Sequence, residues 1–378
     1  LSGPIAAGDR EERVIGKTLS FSSGGSVNSK RPTLCIIGAL VGRNAGRVTS
    51  QGEILADLLA GTGYDVRAAS FAASRWTRLV DIAVSLVRWR GGADVVIIQT
   101  YGGPSFVVED LASTIAQVFG RTIVLHLHGG AMPQFFARHP RWTRRVLSRA
   151  KAIVAPSAYL VDAVAPYGFS ATTIPNVIDL TKYPFRLRSP ARPRLFWMRS
   201  FHPIYNPVMA LRTLAALRKT HPDATLVMAG QDNGLLSTMD AEAKRLGIES
   251  GLRLAGFLDD EGKRREGDAA DIFISTNHVD NTPVAVIEAA AMGLPVVSTN
   301  VGGLSKLIRD GDTGLLVADD DADAMAVAIR RIVDEPSLAH RLSANGRAMA
   351  ESSAWTNVQP SWTRLFDGLS TPRLTRSA

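Results

Sequence analysis

The sequence predicts an α/β protein built from two doubly wound domains with a ligand cleft between them. Short apolar runs alternate with longer amphipathic segments along nearly the whole chain. The runs are near-continuous in Val, Ile and Leu rather than alternating, as in strands buried on both faces of helix-covered parallel sheets. The pattern also occurs twice, separated by a stretch carrying Pro184, Pro190 and Pro193 and no periodicity. A length of 378 residues with 46% apolar content suits two or three domains with real cores.

Residues 1–30 are polar and serine-rich, contain Gly24-Gly25 and lack the apolar centre of a signal peptide. They read as a disordered tail. The first domain, 31–183, takes its strands from 34–37, 66–69, 95–98, 123–127 and 153–155. Helical patterns lie between them at 50–60, 106–119 and 133–148. Residues 184–193 form a linker. The second domain, 194–355, repeats the scheme with strands at 195–198, 225–228, 252–254, 272–274, 296–298 and 315–317. Residues 356–378 supply a last helix, at 359–369, and a tail. Ligands of such sheets bind outside the carboxyl ends of the strands, and the polar residues of interest stand there.

Composition excludes several classes of function. The single cysteine, Cys35, lies in the apolar run Leu34-Cys-Ile-Ile37, so no disulfide framework exists and a reducing, cytoplasmic setting is expected. No run reaches the ~18 apolar residues of a membrane span. The net charge of +8 fits nucleic acid, a membrane surface or anionic substrates. With neither zinc spacing nor an aromatic–basic pattern, nucleic acid is not the expected partner. No metal-ligand cluster is visible, and neither metal nor cofactor is expected.

The stretch from Asp280-Asn-Thr-Pro through Glu288 and Gly-Leu-Pro-Val-Val to Gly302-Gly303 is the most informative. Asp280 stands on a loop that ends a strand, and Glu288 stands on the following helix. Pro283 suits the first helical position, where its missing N–H is not needed. The N–H groups of Val284 and Ala285 are then free to face an anion. Glu288 sits among Val286, Ala289, Ala290 and Ala291, a buried setting in which an unpaired carboxylate is expensive.

This ordered string, continued by Ile308-Arg-Asp-Gly-Asp-Thr-Gly-Leu-Leu-Val317, resembles the retaining glycosyltransferases of family 4. The resemblance extends more weakly over about 33–368. It implies two facing Rossmann-like domains of the GT-B type, a nucleotide-sugar donor and a glycan or lipid-linked acceptor. It implies that Glu288 holds the ribose and that Asp280, where the family has a glutamate, holds the donor sugar. Thr282 and Pro283 stand where the family has an aromatic–glycine pair, which leaves phosphate contacts to Val284 and Ala285.

Arg199 matches the family's diphosphate-binding arginine, whose guanidinium fork fits phosphate oxygens. Tyr205 occupies the place of a family lysine, and Lys306 that of a family acid. Lys306 is therefore proposed to supply part of the missing charge. His128, at a strand end before Gly129-Gly130, matches a family histidine facing the donor sugar, whereas His126 lies inside the sheet. Gly46 belongs to a glycine-rich loop that approaches phosphate in the family, and Gly256 and Phe257 frame the base. The same architecture also serves nucleotide-sugar epimerases, phosphorylases and non-catalytic binders. Finally, Arg138, Arg141, Arg145 and Arg149 fall at helical spacing in a run without an acid. They read either as a solvated face or as a surface for anionic lipid.

Overall fold

The computed structural model describes residues 31–42, 44 and 49–370. The tail assigned to 1–30, the last residues 371–378 and the loop residue Gly46 lie outside the described residues.

The first sheet has six strands in the order β2-β1-β3-β4-β5-β6, and every named pairing is parallel. It is built from β1 (Leu34–Ile37), α1 (Gln51–Gly61), β2 (Val66–Ala69), α2 (Arg75–Arg88), β3 (Val95–Thr100) and α3 (Phe106–Val118). There follow β4 (Thr122–Leu127), α4 (Met132–Arg138), α5 (Pro140–Leu147), β5 (Ala152–Ala155), α6 (Ala158–Val164) and β6 (Thr172–Thr173). β6 has two exposed threonines and no apolar run, which is why the hydrophobic pattern does not reveal it. α1 starts where its capping box dictates: Ser50 accepts from the Glu53 N–H while Glu53 accepts from the Ser50 N–H.

One face of this sheet packs against Ile82 and Leu86 of α2, Phe106 and Ala112 of α3, and Val146 of α5. The opposite face packs against Leu55 and Leu59 of α1.

The second sheet also has six strands, in the order β12-β11-β10-β7-β8-β9, and is likewise parallel. Its elements are β7 (Arg194–Met198), α7 (Pro207–Arg218), β8 (Thr225–Ala229), α8 (Leu236–Leu246), β9 (Leu252–Gly256) and α9 (Asp260–Ala269). Next come β10 (Ile272–Ser275), α10 (Val284–Ala291), β11 (Val296–Thr299), α11 (Leu304–Leu307), β12 (Leu315–Val317), α12 (Ala322–Asp334) and α13 (Pro336–Glu351). The chain closes with α14 (Trp355–Ser370). α14 lies on the first sheet, where Val358, Trp362 and Phe366 pack with Leu34 and Ile36. It begins before the predicted 359 because Pro360 sits inside the helix rather than at its start.

Two segments depart from their sequence reading. The helix expected at 133–148 breaks at His139, because the residue before a proline is pushed out of the helical region and Pro140 opens α5. The linker 184–193 is no loose tether. Arg188 is buried and donates to the carbonyls of Gly267 (2.7 Å) and Met292, while Arg186 bonds Asp268 and Asp271.

Candidate functional site

The loop between β10 and α10 is held from below by buried polar side chains. Trp197 Nε1 donates to Thr276 Oγ1 (2.9 Å), which donates to the Tyr205 carbonyl (2.8 Å). The Thr299 hydroxyl donates to the Asn277 carbonyl at 2.6 Å. Asn277 Nδ2 donates to Asp280 Oδ2 at 2.7 Å, and the Asn281 N–H donates to Oδ1 at 2.8 Å. Arg199, one residue past β7, forms an ion pair with the same Oδ2. Asp280 is thus fixed on its loop with three donors.

Arg199 lies between Asp280 and the Tyr205 ring, whose centroid is 4.8 Å from the guanidinium carbon. Burial works against its charge, but Asp280 and Tyr205 outweigh it and hold the guanidinium above its ordinary value. Tyr205 does more than remove a cation: its face carries the cation that remains.

Gly302 and Gly303 let two loops touch. A Cβ on Gly302, whose φ is +53, would lie 2.0 Å from the Asp280 carbonyl oxygen, and the Gly303 N–H donates to that oxygen at 3.0 Å.

The first domain meets this loop directly. A Cβ on Gly130 would stand 2.8 Å from Asp280 Cα, so only glycine permits the approach. Asn176 Nδ2 donates to the Thr282 carbonyl at 3.0 Å, and Ser157 donates to Asn281 Oδ1. Asn281 Nδ2 in turn reaches the His128 carbonyl at 3.4 Å. His128 and Asp280 therefore come together although 152 positions apart in sequence (280 − 128).

The His128 ring sits at the end of β4, stacked on Tyr101 with centroids 5.1 Å apart. Its Nε2 is 2.6 Å from Gln99 Oε1. Gln99 fits because Gly38 and Gly52 lack side chains that would come within 2.7 and 2.8 Å of it. The Gln99 amide nitrogen has no partner among the described residues.

Burial pushes His128 down to about 3, and burial together with His128 lowers His126 as well. Both folded values lie below the unfolded value near 6.5. The folded state therefore binds fewer protons than the unfolded chain in acid, and stability is lost as pH falls below about 6.5 toward 3. His128→Asn is expected to flatten the fall of Tm between pH 6.5 and 4 in scanning calorimetry. An unchanged slope would show that the ring titrates normally.

Glu288 is the fifth residue of α10, so it stands little more than one turn into the helix. Pro283 is the cap before the helix rather than its first residue. Glu288 is buried, and its Oε1 accepts from the Tyr183 hydroxyl at 2.6 Å and lies 3.4 Å from Lys263 Nζ. Asp260, 3.8 Å from Lys263, pairs with Lys182 at 2.9 Å. Val284 and Ala285 open α10, and their N–H groups have no carbonyl one turn behind them. The Thr282 hydroxyl is buried without a partner among the described residues. Gly256 ends β9 on the same edge of the sheet, followed by the exposed Phe257.

Other expected residues stand apart. Lys306 is exposed on the four-residue α11, and among the described residues no hydrogen bond or ion pair joins it to Arg199, Asp280 or Tyr205. The basic run does meet an acid. Asp110 of α3 bonds Arg145, Arg149 (2.5 Å) and Trp142 (2.8 Å). Despite burial, those donors hold its carboxyl below the usual range. The four arginines also do not share one helix, since Arg138 ends α4 and Arg149 lies beyond α5. Sequence reasoning missed Tyr183, Lys263, Asn277, Gln99 and Tyr101. Lys263 is hidden in the charged run Glu-Gly-Lys-Arg-Arg-Glu, which reads as a solvated helix.

Among the described residues no group of three or more His, Cys, Asp or Glu side chains could hold a metal ion. No described helix is long and apolar enough to cross a membrane.

Residues 54–182 match the family described as Glycosyltransferase Family 4, and residues 182–349 match Glycosyl transferases group 1. The two matches meet at the domain junction and together span well over half of the chain. The chain belongs to the GT-B-type glycosyltransferases. Among curated relatives, glycogen synthase of Mycobacterium tuberculosis is 26% identical over 286 residues, covering 69% of this chain and 66% of that one. The D-inositol 3-phosphate glycosyltransferase of Rhodococcus jostii is 30% identical over 256 residues, covering 62% and 56%. The chain thus spans two thirds or less of these relatives' lengths. Among solved structures, Anabaena HepE in complex with UDP-glucose superimposes with a TM-score of 0.73 at 16% identity, covering 89% of this chain and all of HepE. That likeness concerns the fold.

Proposed function

We propose that this glycosyltransferase moves a sugar from a nucleotide-sugar donor to a hydroxyl of a glycan or lipid-linked acceptor, with retention of configuration. The observation that carries the reading is one of placement. His128 from one domain and Asp280 and Arg199 from the other meet at the facing strand ends, and Glu288 lies about a turn along the helix that starts there. A donor fits that order. Glu288 takes the ribose diol, the α10 amides and Arg199 take the diphosphate, and Asp280 and His128 take the sugar. Gly256 and Phe257 frame the base. That Anabaena HepE was solved with UDP-glucose supports this donor class.

In the chemical step the bond from anomeric carbon to phosphate oxygen breaks, and the bond to the acceptor oxygen forms on the same face. The acceptor proton leaves with the departing phosphate. Negative charge grows on that phosphate, and Arg199 with the helix-start amides stabilises it. These cationic and amide donors carry out the charge neutralisation without a metal.

The test is a panel of nucleotide sugars screened by thermal shift, followed by turnover with the best binder. A ligand at 100 times its Kd raises stability by about 2.7 kcal/mol. We expect one nucleotide sugar to raise Tm, product NMR to show the donor's anomeric configuration, and EDTA to leave the rate unchanged. Inversion, or a rate abolished by EDTA and restored by a divalent metal, would overturn the corresponding part. The closed Arg199–Asp280 pair favours a second reading, a protein that binds donors without using them. Binding with no turnover toward any acceptor would establish it.

A further inference from the structure

α2 is apolar on both of its faces. Ile82 and Leu86 are buried in the first domain's core. On the outer face, Trp76 is 80% exposed, Val80 62%, Val84 59% and Val87 42%. The spacing of four, four and three residues makes them one continuous stripe. Val107, 50% exposed, adds to it from α3, which packs against α2. Half of the large exposed apolar side chains among the described residues are these five. Their concentration on one face marks an interaction surface rather than ordinary scatter.

Charge selects the partner. Arg88 and Arg90 are exposed at the end of the stripe, and Asp81 is the single acid of the helix. α2, α3 and α5 cover the same sheet face, and Arg138, Arg141 and Arg144 are exposed in that layer. A second copy of the chain would bring the same positive charges against them. The stripe is also one helix wide and about 17 Å long, too narrow for the ~800 Å² per partner of a stable dimer. An anionic bilayer offers the opposite charge and accepts a narrow apolar wedge with a tryptophan at headgroup depth.

We propose that the outer face of α2 docks this protein on an anionic lipid bilayer. Trp76, Val80 and Val84 enter the headgroup layer, and the flanking arginines meet lipid phosphates. Docking sets the orientation of the site. The strands are parallel, and α2 starts just after the end of β2, so Trp76 lies toward the sheet edge that carries Tyr101 and His128. The acceptor side of the cleft then opens next to the membrane. The α2 face takes the docking role in place of the Arg145 and Arg149 face, since Asp110 pairs with both of those arginines. The surface is independent of which donor the cleft binds.

Sedimentation of the full chain with phosphatidylglycerol vesicles, against phosphatidylcholine vesicles, tests this. We expect binding to the anionic vesicles only, weakened by high salt. Trp76→Gln with Val80→Gln and Val84→Gln is expected to lower binding at least tenfold with an unchanged thermal melt, because all three are exposed. If that variant fails to fold, Trp76→Gln alone is used, and it is expected to abolish the shift of tryptophan emission on vesicle addition. Arg88→Glu with Arg90→Glu should lower binding at low salt. Wild-type protein that ignores anionic vesicles, or apolar-stripe variants that bind as wild type does, would overturn the proposal. So would a wild-type dimer that the triple variant dissociates in ultracentrifugation, which would make the stripe an interface between copies.

Discussion

Glu288→Ala is expected to weaken binding of the cognate nucleoside diphosphate about tenfold to a hundredfold. The carboxylate is buried and already accepts from Tyr183 and Lys263 through one oxygen, Oε1. Oε2 remains for a ribose hydroxyl. A hydrogen bond to a charged group is worth about 1.5–3 kcal/mol, and each 1.4 kcal/mol is a factor of ten. Glu288→Gln separates the binding role from a structural one. It keeps the volume and an oxygen for Tyr183 but loses the charge that both Lys263 and a diol favour. Calorimetric titration should place Gln between wild type and Ala. Equal affinities for all three proteins would make Glu288 a structural partner of Tyr183 alone.

Much of the architecture was legible in the sequence because strands buried on both faces leave uninterrupted apolar runs. β1 and β12 start and stop where those runs do. β6 was not legible, because two exposed threonines carry no such signal. The break at His139 was masked by apolar spacing that continues through Pro140. At the site, residues beside glycines or at strand ends stood out: His128, Arg199 and Asp280.

Their partners did not stand out, because those partners come from far along the chain. Tyr183 lies 105 positions before Glu288, and Asn176 lies 106 before Thr282. The Arg199–Asp280 pair could not be read either, since two residues expected to grip different parts of a ligand were each assigned to that ligand and not to one another. A cation and a carboxylate this close neutralise each other.

That pair makes Arg199→Ala the substitution with the largest expected effect on turnover. Under the proposed function, donor binding would exchange partners: the diphosphate would take the guanidinium, and the sugar hydroxyls Asp280. The interaction with diphosphate strengthens as charge develops on the leaving group, so its loss falls on kcat more than on affinity. Removing one preorganised donor to developing charge costs about 10²–10³ in kcat. Affinity for the free nucleoside, which lacks the diphosphate, should be unchanged. The protein should also lose some stability, because Asp280 is left charged and mostly buried. The loss is smaller than for a fully buried pair, since Asn277 and the Asn281 N–H still donate to it. Arg199→Ala combined with Asp280→Asn should recover that stability but not the rate, because the neutral amide no longer needs a cation and the diphosphate still does. Calorimetry and steady-state kinetics on the four proteins of this cycle read the two effects separately. A double variant that regained turnover along with stability would show that Arg199 serves Asp280 and never touches the leaving group.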